Sequence, residues 1–123
     1  MSAPMPINIS QQQIDDFATD GAVFLPGLFT DWVAQIRAAI DENMQNPSPY
    51  AAENLAPGDA GRFFDDYCNW RRSDRLGEIL RHSPAAAAAA RLMQSDTVKI
   101  FHDHVLVKEP GTSKPTPWHQ DAP

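Results

Sequence analysis

The chemistry-bearing residues of this chain gather at one end. The segment "PTPWHQDAP" (115–123) places His119 and Asp121 two residues apart. On an extended backbone an i, i+2 pair projects from one side. An imidazole and a carboxylate converging in that way can hold a single divalent ion. Neutral nitrogen with anionic oxygen suits Fe(II), Mn(II) or Zn(II) and is poor for Ca(II). Two ligands do not complete a site. A 2-His-1-carboxylate facial triad needs one further histidine and keeps open positions for co-substrate and dioxygen.

Upstream lies "TVKIFHDHVLVKEPG" (97–111), the strongest strand pattern in the chain, rich in β-branched residues and closed by Pro110-Gly111. Alternation puts Ile100, His102, His104, Leu106 and Lys108 on one face, and Lys99, Phe101, Asp103, Val105 and Val107 on the other. The second face is suited to packing against helices. The first reads either as a wet cavity wall or as the solvent side of an edge strand. A rival arrangement gathers His102, His104, His119 and Asp121 into a complete four-ligand site, a non-catalytic metal-binding β-module.

The remaining elements must position these groups. Residues 1–9 read as a loose leader. Ser10 with Gln13 forms a capping-box pattern that opens a helix over 11–20, and Gly21 ends it. "AVFL" (22–25) reads as a short strand before the Pro26-Gly27 turn. Thr30 caps a second helix whose stripe Trp32, Ile36, Ile40 and Met44 is core. Residues 46–61 read as a long loop, and "RFFDDY" (62–67) as strand or loop. Ser73 caps a helix carrying Leu76, Ile79 and Leu80, and Ser83-Pro84 starts another through the alanine run. Six alanines in a row supply helix propensity and close packing rather than a function. Helices first and strands late indicate α+β, or an all-β core with helical decoration.

Composition narrows the field. The chain has 123 residues, 42% apolar and 21% charged, with a net charge of −6. That describes one globular domain. No basic face dominates, which argues against a nucleic-acid partner. No apolar run reaches membrane-spanning length, and "MSAPMPINIS" has no signal-peptide character. A single cysteine, Cys68, excludes an internal disulfide and fits a reducing, cytoplasmic setting; between Tyr67 and Trp70 it reads as a small packed residue. Arg71, Arg72, Arg75 and Arg81 are the basic cluster; it could receive an anionic substrate such as an acyl-CoA or a carboxylate, but the arginines are expected rather to pair with nearby acids such as Asp65, Asp66 and Asp74 or to face solvent. Asp65 and Asp66 are adjacent, so they point apart and do not read as an acid–base pair.

Taken together, "FHDHVLVKEPGTSKPTPWHQD" resembles the first metal-binding segment of the phytanoyl-CoA dioxygenase family. "DGAVFLPGLFT" and "GRFFDDYCNWRR" are similar to earlier segments of the same family. The resemblance runs from about Ile14 to the end. It implies an Fe(II)- and 2-oxoglutarate-dependent oxygenase on a double-stranded β-helix, the jelly roll. It makes His119 and Asp121 iron ligands, sets Lys108 near the 2-oxoglutarate carboxylate with His104 beside it, and turns His102 toward substrate. The substrate, a small organic molecule or acyl-CoA, would be hydroxylated at the expense of O2. The family supplies a second histidine ligand and a 2-oxoglutarate-binding arginine well after this motif, and a jelly roll needs about eight strands. The expectation is therefore an N-terminal portion: helices packed on the first strands of an incomplete jelly roll, inactive alone and prone to self-association through an unpaired strand.

Overall fold

Capping chemistry sets the first helix, α1 (Gln11–Asp20). The Ser10 hydroxyl accepts from the Gln13 amide at 3.2 Å, and the Gln13 side-chain oxygen accepts from the Ser10 amide at 3.0 Å. Two amides that the helix leaves open are thereby satisfied. Gly21, at φ 74°, ends the helix in the left-handed conformation. The computed structural model describes residues 7–120.

Ile14 on α1 is buried with Ile9 and Ala88, and Ile7, Leu25, Leu28 and Leu92 pack around them. The leader is thus tied down from Ile7 onward. The same cluster explains why residues 22–25 form no strand. Leu25 is drawn into the contact between α1 and the helix that holds Ala88, Phe24 is left exposed, and no second strand among the described residues lies alongside.

A single 3-10 turn, Thr30–Trp32, leads directly into α2 (Val33–Gln45). Thr30 does not cap α2. Its hydroxyl donates to the Gly27 carbonyl, and the turn itself carries the chain into the helix. Trp32, Ile36, Ile40 and Met44 are half-buried, whereas Ala39 and Asn43 are fully buried. The small Ala39 lets α3 (Asp74–His82) approach closely, with Leu76 and Ile79 against it. Ser73 caps α3 by accepting from the Leu76 amide. α4 (Ala85–Met93) follows at once, and its alanines bring it against α1 at Ala88.

The 46–61 stretch is not wholly loop, since it contains the two-residue strand β1 (Ala52–Glu53). With β2 (Phe63–Tyr67) and β3 (His104–Lys108) it forms an antiparallel sheet in the order β1-β2-β3. Phe63 stands opposite Lys108, Asp65 opposite Leu106 and Tyr67 opposite His104. The described residues are therefore α+β, with four α-helices and three strands.

One face of the sheet is tied to the helices. Phe64 is 2% exposed, Val105 is buried and Val107 half-buried. Asp66 is 0% exposed and sits among donors: Asn43 Nδ2 at 2.9 Å, the Ser48 amide at 2.7 Å and the Ser48 hydroxyl. Burial alone would raise this carboxyl. The bonds from Ser48, Asn43 and Asn69 outweigh it and hold the group down at about 2.

The expected strand over 97–111 is shorter than its apolar pattern. The ladder ends where β2 ends. Cys68, at φ 64°, turns the chain away, and the last rung runs from its amide to the Asp103 carbonyl. Residues 97–103 have no partner strand, so Ile100 and Phe101 are exposed. Cys68 is itself exposed rather than packed. No helix among the described residues is long and apolar enough to cross a membrane.

Candidate functional site

The face of the sheet turned away from the helices carries Asp65, Tyr67, His104, Leu106 and Lys108. His104 is exposed. Its Nε2 lies 3.7 Å from Asp65 Oδ1, and its ring meets Tyr67 edge-on at 5.8 Å. Tyr50 stacks on Tyr67 at 5.1 Å, and Asn54 Nδ2 donates to Asp65. Phe63 is the buried residue of this face, with the Lys108 ammonium 5.0 Å from its ring centroid. The result is a half-exposed aromatic and polar surface on which Asp65 stands opposite Leu106, two residues along the strand from Lys108. Adjacent Asp65 and Asp66 do point apart, one to each face.

His102 lies outside β3. Its ring meets Phe101 edge-on at 4.8 Å. Its neighbour Asp103 faces inward, and both its oxygens accept backbone amides, from Asn69 at 3.0 Å and Trp70 at 2.9 Å. His102 thus lies just outside the strand that carries His104.

Beyond β3 the chain is pinned to the loop before β2. The Glu109 amide donates to the Arg62 carbonyl, and the Arg62 amide donates to the Glu109 carboxylate. The Ala60 amide donates to the Gly111 carbonyl at 3.0 Å. Asp59 Oδ2 accepts from the amides of Ala56 at 2.9 Å and Ser113 at 3.2 Å. Lys108 Nζ donates to the Lys114 carbonyl at 2.6 Å. From there the chain runs exposed to Trp118 and His119.

His119 Nδ1 lies 2.8 Å from the Pro117 carbonyl oxygen. A carbonyl only accepts, so this bond puts the ring proton on Nδ1 and the lone pair of the neutral ring on Nε2. That is the tautomer in which metal-bound histidines are commonly held by a backbone carbonyl. In donor chemistry and tautomer His119 fits one position around a divalent ion. Asp121 lies outside the described residues. Among the described residues no group of three or more His, Cys, Asp or Glu converges. His102, His104 and His119 are therefore not gathered, and the four-ligand β-module loses its geometry.

The four arginines are exposed, one of the two outcomes expected of them. Arg75 pairs with Glu42 at 2.8 Å, and Arg72 donates to Asn69 Oδ1 at 2.6 Å. Arg71 and Arg81 lie 4.8 and 5.2 Å from the ring centroid of Trp70. None of these contacts reaches Asp65, Asp66 or Asp74, and Asp65 and Asp66 are instead satisfied within the sheet layer. Sequence reasoning also missed Asp59, Asn54 and Tyr50. An aspartate inside "PGDAG" signals a turn, but nothing in the sequence says which distant amide it reaches.

Residues 17–123 match the family model described as phytanoyl-CoA dioxygenase (PhyH). The chain belongs to the phytanoyl-CoA dioxygenase family. No curated protein and no solved structure matches it. The matched span includes the open sheet face, the pinned segment and His119, so the features described above all fall within the part that relates this PhyH-family chain to dioxygenases.

Proposed function

We propose that this chain carries the first iron-binding segment of an Fe(II)- and 2-oxoglutarate-dependent dioxygenase built on a jelly roll. His119 and Asp121 would hold the iron. Lys108 and His104, on the open sheet face, would meet 2-oxoglutarate, and His102 would line the approach of the substrate, a small organic molecule or acyl-CoA. Bound iron would supply activation of O2 coupled to decarboxylation of 2-oxoglutarate, the net result being a hydroxylated substrate.

The protein's own part is positional. The Pro117 carbonyl orients the His119 ring and fixes which nitrogen carries its proton. The Lys108 ammonium offers a compact positive charge to a carboxylate. It now bonds the Lys114 carbonyl, so an incoming carboxylate would exchange with that bond. The described residues bring one histidine of the set, and the sphere is completed by Asp121 and by groups from outside them. Activity of the isolated chain is accordingly expected to be absent or very low. A reducing, cytoplasmic setting suits both ferrous iron and the single cysteine.

The observation that carries this reading is a dioxygenase-family match spanning a histidine whose Nδ1 lies against a backbone carbonyl. The test is anaerobic titration with Fe(II) and 2-oxoglutarate, followed in the visible region, on the wild type and on His119→Ala. A charge-transfer band in the wild type that His119→Ala abolishes supports the assignment. Identical spectra from the two proteins would remove it.

A further inference from the structure

Between Ser113 and His119 the chain reads S-K-P-T-P-W-H. Pro115 and Pro117 have fixed φ, and Lys114 and Thr116, each preceding a proline, are held extended. Such a stretch is a stiff spacer, advancing about 3 Å per residue in the polyproline conformation. A stiff spacer transmits the orientation of its base to its tip. At the tip, the Pro117 carbonyl holds the His119 ring. At the base stand two side chains from elsewhere in the chain. Asp59 accepts the Ser113 amide at 3.2 Å while also closing its own turn on the Ala56 amide at 2.9 Å. Lys108 Nζ donates to the Lys114 carbonyl at 2.6 Å. The two bonds grip consecutive residues from different elements, so they fix direction as well as position.

We infer that Asp59 is a positioning residue for the metal-bearing segment, clamping the base of a proline-stiffened rod whose tip presents His119. Lys108 is its partner in the clamp. The inference rests on the reading of His119 as a metal ligand only for its consequence; the clamp and rod stand on the geometry alone. The hydrogen bonds to Asp59 also hold its carboxyl below the usual range, so it stays an acceptor throughout the neutral region.

The test uses the full chain and two readouts. The first is the NMR spectrum of the His119 ring, whose shifts and line widths report without any metal whether the tip is held in one direction. The second is titration with Co(II) alone as the probe. Asp59→Ala should shift and sharpen the His119 ring signals toward those of a freely reorienting tail and weaken Co(II) binding roughly tenfold, the scale seen for groups that orient a ligand. Asp59→Asn keeps a carbonyl acceptor and should restore most of both. Ser113→Pro deletes the donor while sparing the Ala56 turn, and it should reproduce Asp59→Ala; it also serves if Asp59→Ala fails to fold. Wild-type ring signals in Asp59→Ala and Ser113→Pro would overturn the inference, as would failure of Asp59→Asn to restore them. The metal reading fails separately, if His119→Ala binds Co(II) as the wild type does; the ring spectra would still decide the clamp.

Discussion

Two regions of this molecule handle polar groups in opposite ways. Around Asp66 a carboxylate is completely buried and saturated with donors from Asn43 and Ser48, locking α2, the 46–61 stretch and the sheet together. Along 109–120 the polar contacts lie at or near the surface and are made mostly to backbone, and they guide a segment rather than bury it. The first arrangement spends its hydrogen bonds on a unique packing. The second leaves a histidine at the surface with its ring direction set. Stability and candidate chemistry are therefore held by different residues, and substitutions should separate them.

The largest effect is expected from Asp66→Ala, which strands several buried donors at once. Unsatisfied buried donors cost about 1–3 kcal/mol each, so this variant should lose about 3 kcal/mol or more in urea unfolding; a near-wild-type midpoint would deny the knot its role. Next comes Gly61→Ala, at the junction of the two regions. A methyl there would overlap the Pro110 carbonyl oxygen, part of the backbone of the pinned segment. Overpacking against backbone should cost up to about 3 kcal/mol and displace the His119 segment as well, visible as a changed ring spectrum.

Acid offers a milder way to break the knot. The Asp66 carboxyl is lowered from 3.8 to about 2 in the folded chain, so its contribution is fully present above the unfolded value. It fades as pH falls through the window between them, by about 2 kcal/mol in total. Thermal melts between pH 5 and pH 2 should show that loss in the wild type, roughly, and not in Asp66→Ala. Smallest of all should be His119→Ala. An exposed side chain away from the core is expected to change stability by less than about 0.5 kcal/mol, even while it removes any metal response. A large drop in melting temperature for this variant would show that the two regions are not separate.

The helices were legible because local chemistry dictates them. Ser10, Gln13, Gly21 and Ser73 announce caps by identity and spacing, and the structure uses each. Strands were less legible, because a strand exists only where a partner lies beside it. "AVFL" and residues 97–103 have strand composition but no neighbour, while β1 has almost no signal and forms because β2 is there to pair. Alternation within β3 did hold, with Val105 and Val107 toward the helices and His104, Leu106 and Lys108 away. At the candidate site, the sequence marked His119 by motif. It could not reveal the Pro117 carbonyl that sets the ring or the Asp59 clamp 54 residues upstream, because long-range hydrogen bonds leave no local pattern.

The rungs between β2 and β3 carry one last consequence. Glu109 donates to Arg62 and Cys68 donates to Asp103, so alternation turns the amide and carbonyl groups of His104, Leu106 and Lys108 outward, away from β2. Any segment that docks alongside β3 must lock onto those three residues. Residues bonded across such a pair share a face, so the newcomer's matching side chains would stand beside His104 and Lys108. The phase of the backbone thus dictates which neighbours the open sheet face can acquire.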